Sequence, residues 1–245
     1  FGRSVQQTTD GGYIITGMTL SAYEDAFDFF LLKTDGNGIE QWSKIFGGSG
    51  NDYGLFVEQT IDGGYVITGR RRLLGTGINT GTNWNPPVAY ILKTNSLGDS
   101  LWSKTFGDSI HIQRALCAQQ TIDGGYIITG QILYDGYSLN ADAVMLIKTD
   151  GNGLEQWSET FANNNTSSFA SSYGHSVKQT DDGGYIICGR TNDGYGPNDS
   201  YLIKTDGNGT EQWSQTFGGV LDDNAFEVQQ TDDGGYIISG YTESF

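Results

Sequence analysis

The chain has 245 residues, a formal net charge of −16 at neutral pH and a pI near 4.2. Such an acidic surface repels the phosphates of nucleic acids and of anionic membranes, so we expect neither as a partner. No apolar run approaches the roughly 18 residues that a membrane span needs, and we expect no membrane insertion. With 37 glycines, 3 prolines and 36% hydrophobic residues, the composition favours short strands joined by tight turns.

A nine-residue motif near the start of the chain organises the whole sequence. It reads Thr9-Asp-Gly-Gly-Tyr-Ile-Ile-Thr-Gly17 and returns four times, at 61–69, 122–130, 181–189 and 232–240. An Asp-Gly pair between two β-rich runs indicates a hairpin, because glycine adopts positive φ without steric cost. We therefore predict two strands, a and b, which in the first unit cover residues 4–8 and 13–17.

A second motif alternates with the first. It reads Leu32-Lys-Thr-Asp-Gly-Asn-Gly-Ile-Glu-Gln-Trp-Ser-Lys-Ile-Phe46, with relatives at 92–106, 147–161 and 203–217. The step from the turn Asp or Asn to the Trp is constant, which fixes the register, since a slip of one residue would turn the Trp to the other face. This hairpin predicts strands c and d, residues 29–34 and 40–46 in the first unit.

Four-stranded antiparallel units of about 50 residues, repeated radially, are typical of a β-propeller. We predict an all-β fold: a single β-propeller domain of four-stranded blades spanning residues 1–245. The units cover approximately 1–50, 51–110, 111–170 and 171–221, followed by a half unit at 222–245. A solenoid of hairpins is the alternative, although its repeats are usually shorter.

The half unit leaves a sheet edge bare, because the sequence has five hairpins of the first kind and four of the second. Three explanations remain open. The sequence is a segment of a longer array, a five-bladed ring tolerates a half blade, or a neighbouring molecule completes the half blade. The start at Phe1 rather than Met leads us to expect a processed or cropped product.

The combined pattern resembles a known repeat family. Trp-Ser-Lys-X-Phe-Gly-Gly-Ser-Gly-Asn-Asp, then Asp-Gly-Gly-Tyr-X-Ile-Thr-Gly and X-Leu-Lys-Thr-Asp, is similar to the SBBP-type β-propeller repeats of bacterial and archaeal surface proteins. The resemblance covers almost the whole chain and implies export, with an extracellular or cell-surface location. It brings no common catalytic motif with it.

Variation in length is confined to the b–c and d–a connections, which share one end of the blades. The longest insertion is 70–88. A rigid scaffold with variable loops at one end is the usual arrangement of a binding face. The candidate ligand-binding residues are Trp84, Tyr134, Tyr137 and Tyr195, which lie near Asn and Asp in these loops, as a sugar- or peptide-binding surface requires. The plainer interpretation is that Trp84 only pins its own loop.

The only basic run, formed by Arg70, Arg71 and Arg72, opens the longest insertion. It could bind a carboxylate or sulfate of an acidic glycan, or it could pair with nearby aspartates. We expect no cofactor, with calcium at the turn aspartates as the less favoured alternative. Asp35 and Asn37 fit the first positions of a calcium loop, but Ile39 and Phe46 occupy later ligand positions, and hairpin formation alone explains the turn residues.

Two cysteines are too few for a disulfide framework, and we expect Cys117 and Cys188 to be buried thiols. Histidines His111 and His175 lie in or beside different d–a loops, without a catalytic motif around them. Paired carboxylates for glycoside chemistry stay open, since aspartates such as Asp135 and Asp142 are plentiful in these loops.

Three functions follow in order of preference. The first is a non-enzymatic extracellular adhesion module that presents the b–c and d–a loops to a glycan or protein ligand. The second is a structural surface or filament subunit that self-assembles through the open half blade. The third is a glycan-active enzyme.

Overall fold

The computed structural model describes residues 1–20, 26–48, 50–72, 86–108, 111–133, 142–162 and 170–244. These residues form strands and turns and contain no α-helix. In this described part of the chain there is no helix long and apolar enough to cross a membrane. The chain divides into two compact units, Phe1–Gln120 and Thr121–Phe245, and each is described by itself.

The first unit consists of nine strands. They are β1 (Gly2–Gln7), β2 (Tyr13–Leu20), β3 (Phe27–Thr34), β4 (Glu40–Phe46), β5 (Tyr53–Gln59), β6 (Tyr65–Arg71), β7 (Val88–Thr94), β8 (Ser100–Phe106) and β9 (Ile112–Gln120). Strands β1 to β4 form one antiparallel sheet in chain order, and β5 to β8 form a second.

The second unit repeats this plan. Its strands are β10 (Tyr126–Leu133), β11 (Ala143–Thr149), β12 (Glu155–Phe161), β13 (Ser171–Gln179), β14 (Tyr185–Asn192), β15 (Asp199–Thr205), β16 (Glu211–Phe217), β17 (Asp223–Gln230) and β18 (Tyr236–Thr242). Strands β13 to β16 form a four-stranded sheet, and β17 pairs with β18 alone. The predicted all-β fold of antiparallel four-stranded sheets is confirmed.

Each a–b turn is held by the aspartate of its Asp-Gly-Gly motif. In the first copy, Asp10 Oδ1 accepts hydrogen bonds from Thr8 Oγ1 at 2.6 Å and from the Gly12 amide at 3.0 Å. Gly11 has a φ of 81°, which glycine adopts without strain. The same geometry recurs in all five copies, so the motif works as the sequence predicts.

The lysine of the second motif reaches the aspartate of the first. Lys33 is 3% exposed, and its Nζ lies 2.9 Å from Asp10 Oδ2 and 2.8 Å from the Thr34 carbonyl. The hydrogen bonds from Thr8, Lys33 and the Gly12 amide lower the pKa of Asp10. Equivalent ion pairs occur in the other three complete sheets: Lys93–Asp62, Lys148–Asp123 and Lys204–Asp182. This cross-hairpin pair ties the two motifs together.

Consecutive sheets within each unit stack face to face. In the first unit, Ile14, Leu31, Val57 and Ile67 form one buried cluster, with Trp42 packed against it. The Trp42 ring lies 5.9 Å from that of Tyr65 in the next sheet, and the pairs Trp157–Tyr185 and Trp213–Tyr236 repeat this contact in the second unit. These three tryptophans therefore fill the space between consecutive sheets. Cys117 and Cys188 are buried, as predicted.

Candidate active site

Three of the predicted binding residues, Trp84, Tyr134 and Tyr137, lie outside the described residues. Tyr195 is 83% exposed in the connection between β14 and β15, and its amide donates to Asp193 Oδ1 at 3.0 Å. Its ring is presented to solvent at the end of the sheets where we predicted the binding face.

The three arginines of the basic run have partners within the first unit. The Arg70 guanidinium lies 4.3 Å from the ring centre of Tyr53. The Arg71 guanidinium stacks over Tyr90 at 5.5 Å and donates to the Gly47 carbonyl at 3.3 Å. Arg72 contributes its amide, which donates to Asp52 Oδ1 at 3.1 Å. Two of the three, Arg71 and Arg72, therefore contact the same carboxylate, that of Asp52.

That carboxylate, Asp52, belongs to a pair at the end of the first two sheets. Asp52 immediately precedes β5 and is 1% exposed, whereas Asp28, in β3, is half-buried. Asp52 Oδ2 lies 3.5 Å from Arg71 Nε and accepts no hydrogen bond of normal geometry from the described residues, and neither does the buried Asp28 Oδ1. The two aspartates are close enough for the charge of Asp28 to affect the titration of Asp52.

Two glycines after strand β4 make room for this pair. A Cβ on Gly47 would lie 1.7 Å from Asp28 Oδ1, and one on Gly48 would lie 2.7 Å from the Arg71 guanidinium. The Asp52 amide donates to the Phe27 carbonyl at 2.7 Å, which anchors strand β5 to the start of β3. Gly47 and Gly48 thus pack closely against the Asp28 carboxyl group and the Arg71 guanidinium.

The environment of Asp52 favours its protonated form. Burial raises the pKa of Asp52 to about 6, against the lowering effects of the Arg71 guanidinium and the Arg72 amide, and the neighbouring Asp28 adds to the rise. A carboxyl group that keeps its proton near pH 6, beside a second carboxyl group, is the arrangement that general acid catalysis of glycoside cleavage uses. The signal for it in the sequence is the Asn-Asp that follows Gly-Gly-Ser-Gly, which is also part of the repeat pattern.

The second unit contains a counterpart of this pair. Asp199 and Asp223 hold the places of Asp28 and Asp52, and Gly218 holds that of Gly47. A Cβ on Gly218 would lie 2.0 Å from Asp199 Oδ1 and 2.9 Å from Asp223 Oδ2, so the two carboxyl groups are close neighbours. Here Asp223 Oδ2 accepts from Ser244 Oγ at 2.7 Å and from the Gly219 amide at 3.0 Å.

The histidines have separate surroundings. His175 Nδ1 lies 2.9 Å from the Ala225 carbonyl, its ring stacks on Phe226 at 5.4 Å, and burial lowers its pKa. His111 Nδ1 lies 2.7 Å from Asp108 Oδ2. Among the described residues no group of three or more His, Cys, Asp and Glu side chains is placed to hold a metal ion. The Asp28–Asp52 pair is therefore the best candidate for chemistry in the first unit.

No family model and no curated protein matches this chain. Among solved structures, the chain is similar to a protein of unknown function from Dyadobacter fermentans, with 13% identity, a TM-score of 0.61 and coverage of 97% of this chain and 71% of the other. It is also similar to an endo-arabinase from Bacteroides thetaiotaomicron, with 10% identity, a TM-score of 0.54 and coverage of 98% and 87%. A thermostable family-43 glycoside hydrolase gives 11% identity, a TM-score of 0.51 and coverage of 97% and 82%.

These likenesses are likenesses of fold, and they correct two predictions. We expected a non-enzymatic binding and adhesion module, whereas two of the solved structures that share the fold are glycoside hydrolases. The prediction that the chain is not an enzyme is contradicted on the same ground. The Asp28–Asp52 pair lies at the ends of the strands, inside the repeat, whereas the candidate residues predicted from the sequence lie in or beside the variable loops.

Proposed function

We propose that this chain is a glycan-cleaving enzyme of the glycoside hydrolase type. The observation that carries the proposal is the Asp28–Asp52 pair, in which a buried carboxyl group with a pKa of about 6 lies beside a second carboxyl group. The fold that this chain shares with an endo-arabinase and a family-43 hydrolase supports it.

The two carboxyl groups take different parts in this reaction. Asp52 is the general acid that protonates the oxygen of the leaving sugar, because burial keeps its proton in place up to about pH 6. Asp28 supplies the second carboxyl group that glycoside cleavage requires on the opposite side of the bond. Arg71, 3.5 Å from Asp52 Oδ2, positions the acid.

The test is release of reducing sugar from a panel of polysaccharides, beginning with arabinan because of the arabinase likeness. We expect activity in the wild type and its loss in both Asp52→Asn and Asp28→Asn. The matched controls are Asp223→Asn and Asp199→Asn, which change the counterpart pair and should keep the activity. Circular dichroism on every variant confirms that the sheets are intact. An inactive wild type, or an Asp52→Asn variant as active as the wild type, would sink the proposal.

We also propose that the stacked sheets are blades of a β-propeller with about five blades, the last half present. The family would be the SBBP-type surface repeats, and the site of action would be outside the cell. The repeated hairpins and the face-to-face sheet packing support the propeller arrangement. Small-angle scattering of the purified chain would distinguish a closed disc from an extended row of sheets.

A further inference from the structure

A polar cluster in the second unit is built from strands of three sheets. Its members are Gln131 in β10, Tyr173 in β13, Arg190 in β14 and Asn224 in β17. Gln131 is 0% exposed and Asn224 is 2% exposed, whereas Tyr173 and Arg190 are half-buried. The cluster is therefore buried at two of its members and reaches solvent at the other two.

Tyr173 joins the members of this cluster. It pairs with Arg190 between β13 and β14, and the Arg190 guanidinium lies 4.3 Å from the centre of its ring. Burial raises the pKa of Tyr173, but hydrogen bonds with Gln131, Ser171 and Arg190 together bring that pKa below its usual value. Arg190 Nη1 also donates to Asn224 Oδ1 at 3.4 Å. The four side chains therefore form one connected group.

Three polar atoms of this group are buried and have no hydrogen-bond partner among the described residues. Two of them are donors, Arg190 Nε and Asn224 Nδ2, and the third is an acceptor, Gln131 Oε1. Within the described part of the chain Arg190 also forms no ion pair. Nearly all buried polar groups of native proteins are paired, because an unpaired one lowers stability. Three in one group indicate a site that takes a partner from outside the chain.

The unpaired atoms define the chemistry of that partner. Two donors, one of them on a guanidinium without an ion pair, match an anion with two oxygens in one plane, which is a carboxylate. Gln131 Oε1 requires the opposite, a donor such as a hydroxyl group. A carboxylate and hydroxyl groups on one small molecule are the features of a sugar acid.

We propose that this cluster is a binding site for a sugar acid of the uronate class. Arg190 Nε and Asn224 Nδ2 donate to the carboxylate of the ligand, and Gln131 Oε1 accepts from one of its hydroxyl groups. The site belongs to the second unit, whereas the carboxyl pair proposed for cleavage belongs to the first, and no step of the cleavage uses the cluster. Binding and cleavage can therefore be tested separately.

The first unit contains the same arginine–tyrosine pair in a different setting. Arg70 pairs with Tyr53 between β5 and β6, and its guanidinium also lies 4.3 Å from the ring centre. Met18, which follows the first copy of the repeated motif, stands in the place of Gln131. The first unit therefore lacks the amide acceptor, and it supplies matched control variants.

The test is calorimetric titration of the full chain with D-galacturonate. Galactose has the same ring without the carboxylate, and acetate has the carboxylate without the ring. We expect binding of galacturonate alone, weakened about tenfold in Arg190→Met and about threefold in Gln131→Met, because each variant loses a hydrogen bond to the ligand. Arg70→Met removes the corresponding cation of the first unit and should leave the binding unchanged.

Three results would overturn the proposal. The first is a wild type that does not bind galacturonate, and the second is equal binding of acetate, which would indicate nonspecific attraction of anions. The third is a loss in Arg70→Met as large as that in Arg190→Met. Circular dichroism shows whether the variants are folded. If Arg190→Met is not, Gln131→Met decides, since it copies Met18 of the first unit. Asp52→Asn should bind galacturonate as the wild type does, whether or not the wild type cleaves glycans.

Discussion

The two carboxyl pairs differ in which member favours its proton. In the first unit burial raises the pKa of Asp52, which precedes strand a. In the second unit the counterpart Asp223 has a lowered pKa, because the Thr242 and Ser244 hydroxyls donate to it, and burial raises the pKa of Asp199 in strand c instead. The same backbone thus holds two pairs with opposite proton preference.

The cause lies in one position of strand b and the residues that follow it. Arg71 stands where the second unit has Thr242. In the second unit a short hydroxyl side chain donates directly to the carboxyl group, as Ser244 Oγ does to Asp223 at 2.7 Å. In the first unit the Arg71 guanidinium lies 3.5 Å from Asp52 Oδ2 and also contacts the Tyr90 ring and the Gly47 carbonyl. Repetition of a fold therefore does not repeat its electrostatics.

The largest expected effect is on activity. Asp52→Asn should lower the rate of glycan cleavage about 100-fold or more, the usual contribution of a general acid. Asp223→Asn should leave it within a factor of about 2, since no step of the proposed reaction uses that pair. Initial rates on the best polysaccharide of the panel decide between them, and equal losses in the two variants would show that the pairs are structural.

The next effect is on stability, and its sign differs between the pairs. Asp52 holds its proton more tightly in the folded state than in the unfolded state. Its contribution to the free energy of unfolding therefore falls as pH rises from 3.8 to about 6. Asp52→Asn removes that cost and should stabilise the protein at pH 8 by on the order of 2 kcal/mol. Urea unfolding at pH 4 and pH 8 measures it, with a gain expected only at the higher pH.

Asp223→Asn is the control, because its effect on stability should have the opposite sign. Because the pKa of Asp223 is lower in the folded state, Asp223 stabilises the protein above the unfolded pKa of 3.8. That stabilisation is lost as pH falls toward the folded pKa. The variant should be less stable than the wild type at pH 8, and the difference should shrink in acid. A loss of stability in both variants at pH 8 would contradict the assignment of the Asp52 pKa.

The sequence predicted the repeating parts of the molecule well and the candidate site poorly. Hairpins such as that at Gly11 were predictable because turn chemistry is local, and the Trp42 contact because a constant spacing fixes the register. The Lys33–Asp10 ion pair could also have been predicted, since hairpins whose motifs alternate along the chain are neighbours in the sheet. The pKa of Asp52 could not be predicted, because it depends on burial and on side chains about 20 residues away in the chain.

A smaller effect is expected from exchanging the residue that separates the pairs. Arg71→Met removes the cation that lowers the pKa of Asp52 and brings no hydroxyl in its place, so that pKa should rise by about 1 unit. Carbon-detected NMR titration of the aspartate carboxyl groups measures it directly. Lys44→Thr is the control, because Lys44 pairs with the exposed Asp99 instead and its loss should leave Asp52 unchanged. An Asp52 pKa that falls in Arg71→Met would show that the Arg71 guanidinium does not lower it.

The smallest effect is expected at Ser244, whose hydroxyl donates to Asp223 Oδ2 at 2.7 Å. Ser244→Ala removes that donor, while the Thr242 hydroxyl and the Gly219 amide remain, so the pKa of Asp223 should rise only slightly. The direction brings the second pair closer to the first. One outcome of the same titration is no rise in the pKa of Asp223 in Ser244→Ala and a clear rise in Thr242→Val. In that case Thr242, which lies opposite Asp223 in strand b, decides alone which carboxyl group of the pair keeps its proton. That result would make Arg71 and Thr242 the residues by which the two units were set apart.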